Sequence, residues 1–319
     1  VETVRGPVPL DALGTTLMHE HVFVLSEEIR ENYPDSWDEE ARVNDAIEKL
    51  QQMKAVGVDT IVDPTVIGLG RYIPRIVRVN AGVDINIIVA TGIYTYNDLP
   101  HFFHFRGPGT LFGGEDPMIA MFVHDIREGI AGTAVKAAFL KCAIDRQGLT
   151  RGVERAMRAV GAAAKETGVP VTVHTNVHNR SGLLVQKVLR EEGVDLTKVV
   201  IGHSGDSTDL DYLTALLDAG SYLGMDRFGI DTLLPFEQRV ATVAELCRRG
   251  HARQLVLSHD ASCYIDWFPV EKIEAAMPNW NFTHIHDDVL PALRERGVTD
   301  DDIRTMLVEN PKRYFAKAG

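Results

Sequence analysis

Eight times along this chain, a short run rich in β-branched and apolar residues gives way to a longer stretch with helical periodicity. The predicted strands are 15–24, 60–66, 85–92, 134–144, 170–175, 199–204, 222–228 and 255–260. Amphipathic stretches lie between them at 44–56, 117–130, 151–167, 181–192, 209–219 and 235–249, several closed by glycine as a helix stop. The stretch 71–80 is a weaker helix, because Pro74 sits inside it. After the eighth strand, 261–281 reads as a long aromatic-rich loop, followed by helices near 287–296 and 300–314. No Pro/Gly/Ser-rich linker divides the 319 residues. The fold class predicted is α/β, with residues 1–319 forming one (β/α)8 TIM barrel domain with C-terminal helices. A doubly wound open sheet is the alternative, but no GxGxxG stands at a strand–helix junction to support it.

A barrel of this kind carries its active site at the C-terminal ends of the strands. Polar residues there are candidates, and those elsewhere are presumed structural. The first strand holds His19 and His21, two apart, so period-two alternation points both imidazoles one way and Glu20 the other. The fourth carries Lys141 among apolar residues, the fifth and sixth end on His174 and His203, and the eighth ends on Asp260. A strand-end histidine can simply cap a carbonyl, and a lysine can snorkel to solvent. Converging on one rim, the six residues form a metal-ligand set instead, since imidazole suits zinc, cobalt and iron.

The charge of that set is informative. Four neutral imidazoles and one carboxylate are too weakly anionic to hold two divalent ions close together. A bridging anion would cure this, yet the buried residue available is Lys141. Burial in an apolar, metal-rich site lowers a lysine pKa. The free amine can then add carbon dioxide to become a carbamate, a bidentate oxygen ligand, and that modification is expected of Lys141.

Bulk properties remove other classes. A net charge of -12 argues against nucleic acid, which requires clustered basic surface. Cys142, Cys247 and Cys263 are odd in number, widely spaced and without CxxC spacing, as expected of reduced thiols. There is no apolar run long enough for a membrane span, and residues 1–10 lack a signal-peptide layout, so a cytoplasmic protein is expected.

The ligand pattern resembles the binuclear amidohydrolase superfamily, and within it the phosphotriesterase family. The local text is similar to the phosphotriesterase-like lactonases at Thr3-Val4-Arg5-Gly6-Pro7, Leu17-Met18-His19-Glu20-His21, Asp63-Pro64-Thr65, Thr91-Gly92-Ile93-Tyr94 and His174-Thr175-Asn176. It continues through Ile201-Gly202-His203, Gly224-Met225-Asp226-Arg227-Phe228-Gly229 and Ser258-His259-Asp260, and reaches Asn310-Pro311. The resemblance implies two divalent ions per chain, with zinc expected first and cobalt, iron or manganese as alternatives. His19, His21 and Asp260 would bind the more buried ion, and His174 and His203 the more exposed one. Carbamylated Lys141 and a hydroxide would bridge ions about 3.5–4 Å apart. The hydroxide would attack, and Asp260 would relay its proton to the leaving alkoxide.

Tyr94 and Arg227 match the lactonase branch, where the tyrosine is expected near the substrate carbonyl and ring oxygen with the arginine holding it. Tyr96, Cys263, Tyr264, Trp267 and Phe268 would line an apolar channel for an acyl tail. The reading is a hydrolase that opens N-acyl-homoserine lactones and other γ/δ-lactones, a quorum-quenching chemistry, with promiscuous phosphotriesterase activity. Its expected partners are a lactone with an apolar tail and a second copy of the chain in a homodimer, with neither nucleic acid nor membrane. A primary aryl dialkyl phosphotriesterase is the alternative. A Schiff-base lysine enzyme would leave four histidines idle, and a non-catalytic binding barrel would leave the ligand set idle. Trp280 and Phe282 are expected merely to cover the barrel mouth, and His284 and His286 to face solvent. His178 is expected to make helix-start contacts, His259 to point away from Asp260, and Cys142 to be unreactive for want of a histidine base.

Overall fold

β-Branched segments with both faces buried form a parallel ladder when helices cover the outside. In the computed structural model, which describes residues 1–316, eight such segments pair in chain order, each parallel to the next. They are β1 (Thr16–Leu17), β2 (Thr60–Asp63), β3 (Asn86–Gly92), β4 (Phe139–Ala143), β5 (Val171–His174), β6 (Val199–Gly202), β7 (Tyr222–Met225) and β8 (Leu255–Leu257). Residues 317–319, the end of the expected domain, lie outside the described residues. Between the strands run α1 (Glu39–Ala55), α2 (Ile73–Ala81), α3 (Pro117–Arg127), α4 (Arg151–Thr167), α5 (Ser181–Glu191), α6 (Leu210–Asp218) and α7 (Phe236–Arg248). Side-chain caps explain several starts: Asp38, Asp116, Thr150 and Asp209 each accept a backbone N–H in the first turn. Pro74 does not break α2, because it sits in the first turn, where no donor is needed.

Period-two alternation divides each strand between two cores. Leu140, Cys142, Val173 and Ile201 pack in the large cluster shared with the helices, whereas Val62, Ile88, Phe139, Val200 and Val256 pack in a second cluster with Tyr314 and Phe315. Tyr314 comes from the helix Asn310–Phe315, is fully buried, and its hydroxyl meets Thr172 Oγ1 at 2.8 Å. This helix plugs the N-terminal end of the barrel. Two residues beyond Phe139 and Thr172, on the same faces, stand Lys141 and His174, so the polar set occupies the opposite end. The register sets Lys141 against Gly92 and Thr172, and His174 against Ala143 and Gly202. Gly92 has φ +140, and a Cβ there would lie 1.9 Å from the Lys141 carbonyl oxygen. Only glycine lets β4 come this close.

The expected continuous strand over 15–24 is broken. Thr16–Leu17 pairs with β2, but His21–Val24 leaves the barrel ladder and pairs in parallel with Ser262–Ile265. The seam between β1 and β8 closes through individual bonds: Met18 N–H to the Leu257 carbonyl at 3.3 Å, and His19 N–H to Ser258 Oγ at 2.7 Å. The expected loop over 261–281 therefore contains this strand, together with a helix at Val270–Ala276. The helix expected near 287–296 begins as a π-turn at Ile285–Val289, and the one expected over 300–314 carries another at Thr305–Glu309. Among the described residues, no helix is long and apolar enough to cross a membrane.

Candidate metal centre and active site

Ligand atoms from five strand ends converge on one point. Asp260 Oδ1 lies 3.2 Å from His19 Nε2 and 3.3 Å from His21 Nε2. Lys141 Nζ is 3.4 Å from His19 Nε2, and His203 Nε2 is 2.8 Å from His174 Nδ1. All five side chains other than Asp260 are almost completely buried, and Asp260 is nearly so. His203 and Asp260 adopt left-handed backbone conformations, with φ of 62° and 54°, uncommon for residues with a Cβ.

The outward-facing nitrogens show whether these residues suit metal ions. His19 Nδ1 meets Asp226 Oδ2 at 3.1 Å, and His203 Nδ1 meets Asp226 Oδ1 at 3.0 Å. His174 Nε2 meets Asp145 Oδ2 at 2.9 Å. His21 Nδ1 meets Thr65 Oγ1 at 2.7 Å, and that hydroxyl donates onward to Asp63 Oδ1 at 2.5 Å. Each outer nitrogen thus has an acceptor for its proton, an arrangement that frees the inner nitrogen to bind a metal ion once any proton it carries is displaced. Metal-binding histidines are oriented in this way. The donor set fits a divalent metal centre. His19, His21 and Asp260 form one compact group of ligand atoms, and His19, His203 and Asp226 form another.

Electrostatics agree with this chemistry. Burial pushes His174 down to about 4 and His203 to about 3, which keeps both imidazoles neutral. Burial also opposes charge on His21, but hydrogen bonds donated by its ring to the Asp260 and Asp63 carboxylates outweigh it and lift the ring to about 9. Lys141 is lowered to about 8 by burial. Burial resists ionisation of Asp260, yet the adjacent His19 and His203 hold its carboxyl well below the usual range.

Above the cluster opens a cavity of about 380 Å³. Tyr94, Tyr96, Arg227, Trp267 and Phe268 line it with the polar set. The Tyr94 hydroxyl bonds that of Tyr96 and lies 3.3 Å from His174 Nδ1. Arg227 donates from Nε to Asp260 Oδ2 at 2.9 Å and from Nη1 to Asp206 Oδ2 at 3.0 Å.

Several sequence expectations require correction. Cys263 does not line this cavity: on the strand Ser262–Ile265 it turns toward α1, with its sulfur 3.9 Å from the Ala46 carbonyl. Ser262 faces the cavity in its place. Tyr264 is also excluded, packed between Trp37 and the guanidinium of Arg42. Trp280 does line the site, and its Nε1 donates to the His259 carbonyl at 2.9 Å. His284 is buried rather than solvent-facing, with Nδ1 2.7 Å from Asp288 Oδ2. Cys142 faces the helical side, with burial pushing its thiol up to about 12. His178 is exposed, and Asn176 caps its backbone N–H. His259 does point away from Asp260, toward Glu20. Asp145 has no role in the sequence reading, and Asp226 enters it only within a motif, although both follow strand ends and the rule that selects His174 reaches them. The apolar wall of Leu69, Ile230, Leu233 and Met277 lies outside the barrel strands and left no periodic signal.

The sequence profile of the phosphotriesterase family matches residues 1–315. The chain belongs to the phosphotriesterase family. It is 58% identical to a phosphotriesterase homology protein of Mycobacterium tuberculosis, over 100% of this chain and 98% of that one. An aryldialkylphosphatase of Saccharolobus solfataricus is 42% identical, with 95% of each chain covered. The solved structure of the phosphotriesterase from Mycobacterium tuberculosis superposes with a TM-score of 0.99, at 58% identity, covering 100% of this chain and 99% of that one. A TIM-barrel hydrolase of the phosphotriesterase family thus carries the histidine–aspartate cluster described above.

Proposed function

We propose that this hydrolase opens lactone rings, N-acyl-homoserine lactones and other γ/δ-lactones among them, and hydrolyses phosphotriesters as a side activity. The observation that carries the reading is the Tyr94 hydroxyl, which sits beside His174 at the floor of a cavity whose walls are largely apolar. Burial holds the Tyr94 phenol well above its usual range, so it enters the reaction as a neutral donor. Such a donor suits the ring oxygen of an ester, which gains negative charge as its bond to the carbonyl carbon breaks. Leu233, Ile265, Trp267, Phe268 and Met277 offer an apolar wall for the tail of the substrate.

Two divalent ions, zinc first among the candidates, would supply Lewis acidity and a water-derived nucleophile at neutral pH. His19, His21 and Asp260 would hold one, His174 and His203 the other, with Lys141 between them. At about 8, roughly a tenth of the Lys141 amine is unprotonated at pH 7, several hundredfold more than for an ordinary lysine. That fraction would add carbon dioxide with release of a proton, and the resulting carbamate would supply the negative charge the donor set lacks. Asp260 takes the proton of the attacking water and delivers it to the leaving alkoxide, while Arg227 fixes its second oxygen.

The 42% identical relative named aryldialkylphosphatase supports a second reading, with phosphotriesters as the main substrates. One experiment separates the two: kcat/KM on γ- and δ-lactones of graded tail length, and on an aryl dialkyl phosphate, with metal-analysed protein. The expected result is a higher value for at least one lactone. A higher value for the phosphate than for every lactone reverses the assignment.

A further inference from the structure

Between the two ligands His19 and His21 stands Glu20, whose side chain points away from the centre and is completely buried. Its Oε1 accepts the His259 backbone N–H at 2.9 Å and the His259 Nδ1–H at 2.7 Å, and its Oε2 accepts the Ala261 N–H at 3.1 Å. The residue between those two amides is Asp260. A single carboxylate thus grips the backbone on both sides of the one carboxylate ligand. Asp260 itself donates its N–H to the His19 carbonyl at 3.1 Å. The His259 ring is buried and satisfied at both nitrogens, because its Nε2 accepts the Ile285 N–H at 3.0 Å.

This grip lies at the seam of the barrel, where β1 and β8 form no regular ladder. The backbone of β8 therefore does not by itself dictate where Asp260 points. The residue adopts φ +54, a left-handed conformation uncommon for residues with a Cβ though one that aspartate enters more readily than most. That conformation directs Oδ1 at the Nε2 atoms of His19 and His21.

We propose that Glu20 is a positioning residue for Asp260: by holding the amides of His259 and Ala261 it sets the left-handed turn that delivers the carboxylate to the centre. The placement of Glu20 between two ligands then has a direct consequence. The chain segment that supplies two imidazoles also aligns the carboxylate from more than two hundred residues away, so the histidine pair and Asp260 move as one unit. This inference rests on the metal-centre reading above.

The test uses Glu20→Gln, nearly the same in shape but with one acceptor oxygen replaced by an NH2 group, which must confront one of the three donors. Chelator-treated wild type and variant are titrated with cobalt, following stoichiometry, affinity and the visible absorption of bound cobalt. Thermal midpoint of the metal-free protein and steady-state kinetics are measured alongside. The expected result is an altered cobalt spectrum, affinity for one of two ions weakened about 10–100-fold, and kcat reduced at least about tenfold with KM within about threefold. A lower thermal midpoint with cobalt affinity, spectrum and kcat equal to wild type would make Glu20 a structural clasp only and overturn the proposal. If Glu20→Gln does not fold, His259→Leu, which removes the ring donor to Glu20, is judged by the same readouts. His259→Asn keeps a donor near the Nδ1 position and is expected to restore the wild-type cobalt spectrum; failure to restore it counts against the grip. Wild type that binds no cobalt overturns the metal-centre reading itself, a result distinct from any difference between wild type and variant.

Discussion

Asp226→Asn tests how the centre is held together. The carboxylate accepts three N–H groups: the His203 backbone at 2.8 Å, His203 Nδ1 at 3.0 Å and His19 Nδ1 at 3.1 Å. An asparagine placed there has one acceptor oxygen. With that oxygen serving His203, its NH2 confronts His19 Nδ1. The ring must then move its proton to Nε2, the nitrogen aimed at Asp260 and Lys141. One inner lone pair is lost. A hydrogen bond to a charged group contributes about 1.5–3 kcal/mol. At about 1.4 kcal/mol per tenfold, this agrees with the roughly 10–100-fold loss of metal affinity that follows removal of such supporting groups. Zinc or cobalt titration of chelator-treated protein reads the affinity directly. Asp226 also yields a pH signature. Burial opposes its charge, but His203 and His19 hold the carboxyl far below the ordinary value. A depressed carboxyl contributes stability above the unfolded pKa of about 3.9 and loses it as pH falls below that. The gap in thermal midpoint between wild type and variant is therefore constant from about pH 5 upward and narrows only in stronger acid. Two ions bound with wild-type affinity, and turnover within threefold, would refute the reasoning.

Three further outcomes follow from the same geometry. Lys141→Ala loses most activity and bound metal, and short carboxylic acids added to it restore part of the turnover by replacing the bridging oxygens; near-normal metal content and activity would rule out the carbamate. Tyr94→Phe lowers kcat/KM for a long-chain acyl-homoserine lactone more than for an aryl dialkyl phosphate, whose good leaving group needs less help from a donor; equal proportional losses would remove Tyr94 from ring opening. In the metal-free protein the ring of His21, at about 9, and the amine of Lys141, at about 8, carry protons that incoming metal displaces, so apparent affinity climbs with pH up to about 9, with protons released on zinc addition; a flat profile below that pH would contradict it.

Much of the fold was legible because its determinants are local. Each β-branched segment and each amphipathic helix declares its period within a few residues, and eight alternations leave few architectures open. The seam was not legible. A run that reads as one strand over 15–24 changes partner at Met18–Glu20, since the barrel must close there and hydrogen-bonding to β2 and to 262–265 divides the segment. The pocket wall was only partly legible: Cys263 and Ser262 are neighbours in sequence, and which one faces the substrate depends on how that short strand pairs with His21–Val24.

The sequence by itself determined that His19, His21, Lys141, His174, His203 and Asp260 stand at one end of a barrel, because strand periodicity and the rim rule act on each segment separately. Only the tertiary structure decided which nitrogen of each imidazole faces inward. That choice is made by Asp226, 207 residues from His19, by Asp145 beside His174, and by Thr65 with Asp63 beside His21. The direction of Asp260 is likewise decided at the seam, where Glu20 meets His259 across 239 residues. A hydrogen bond depends on distance and angle in space, and no local period encodes a partner that arrives only when the barrel closes.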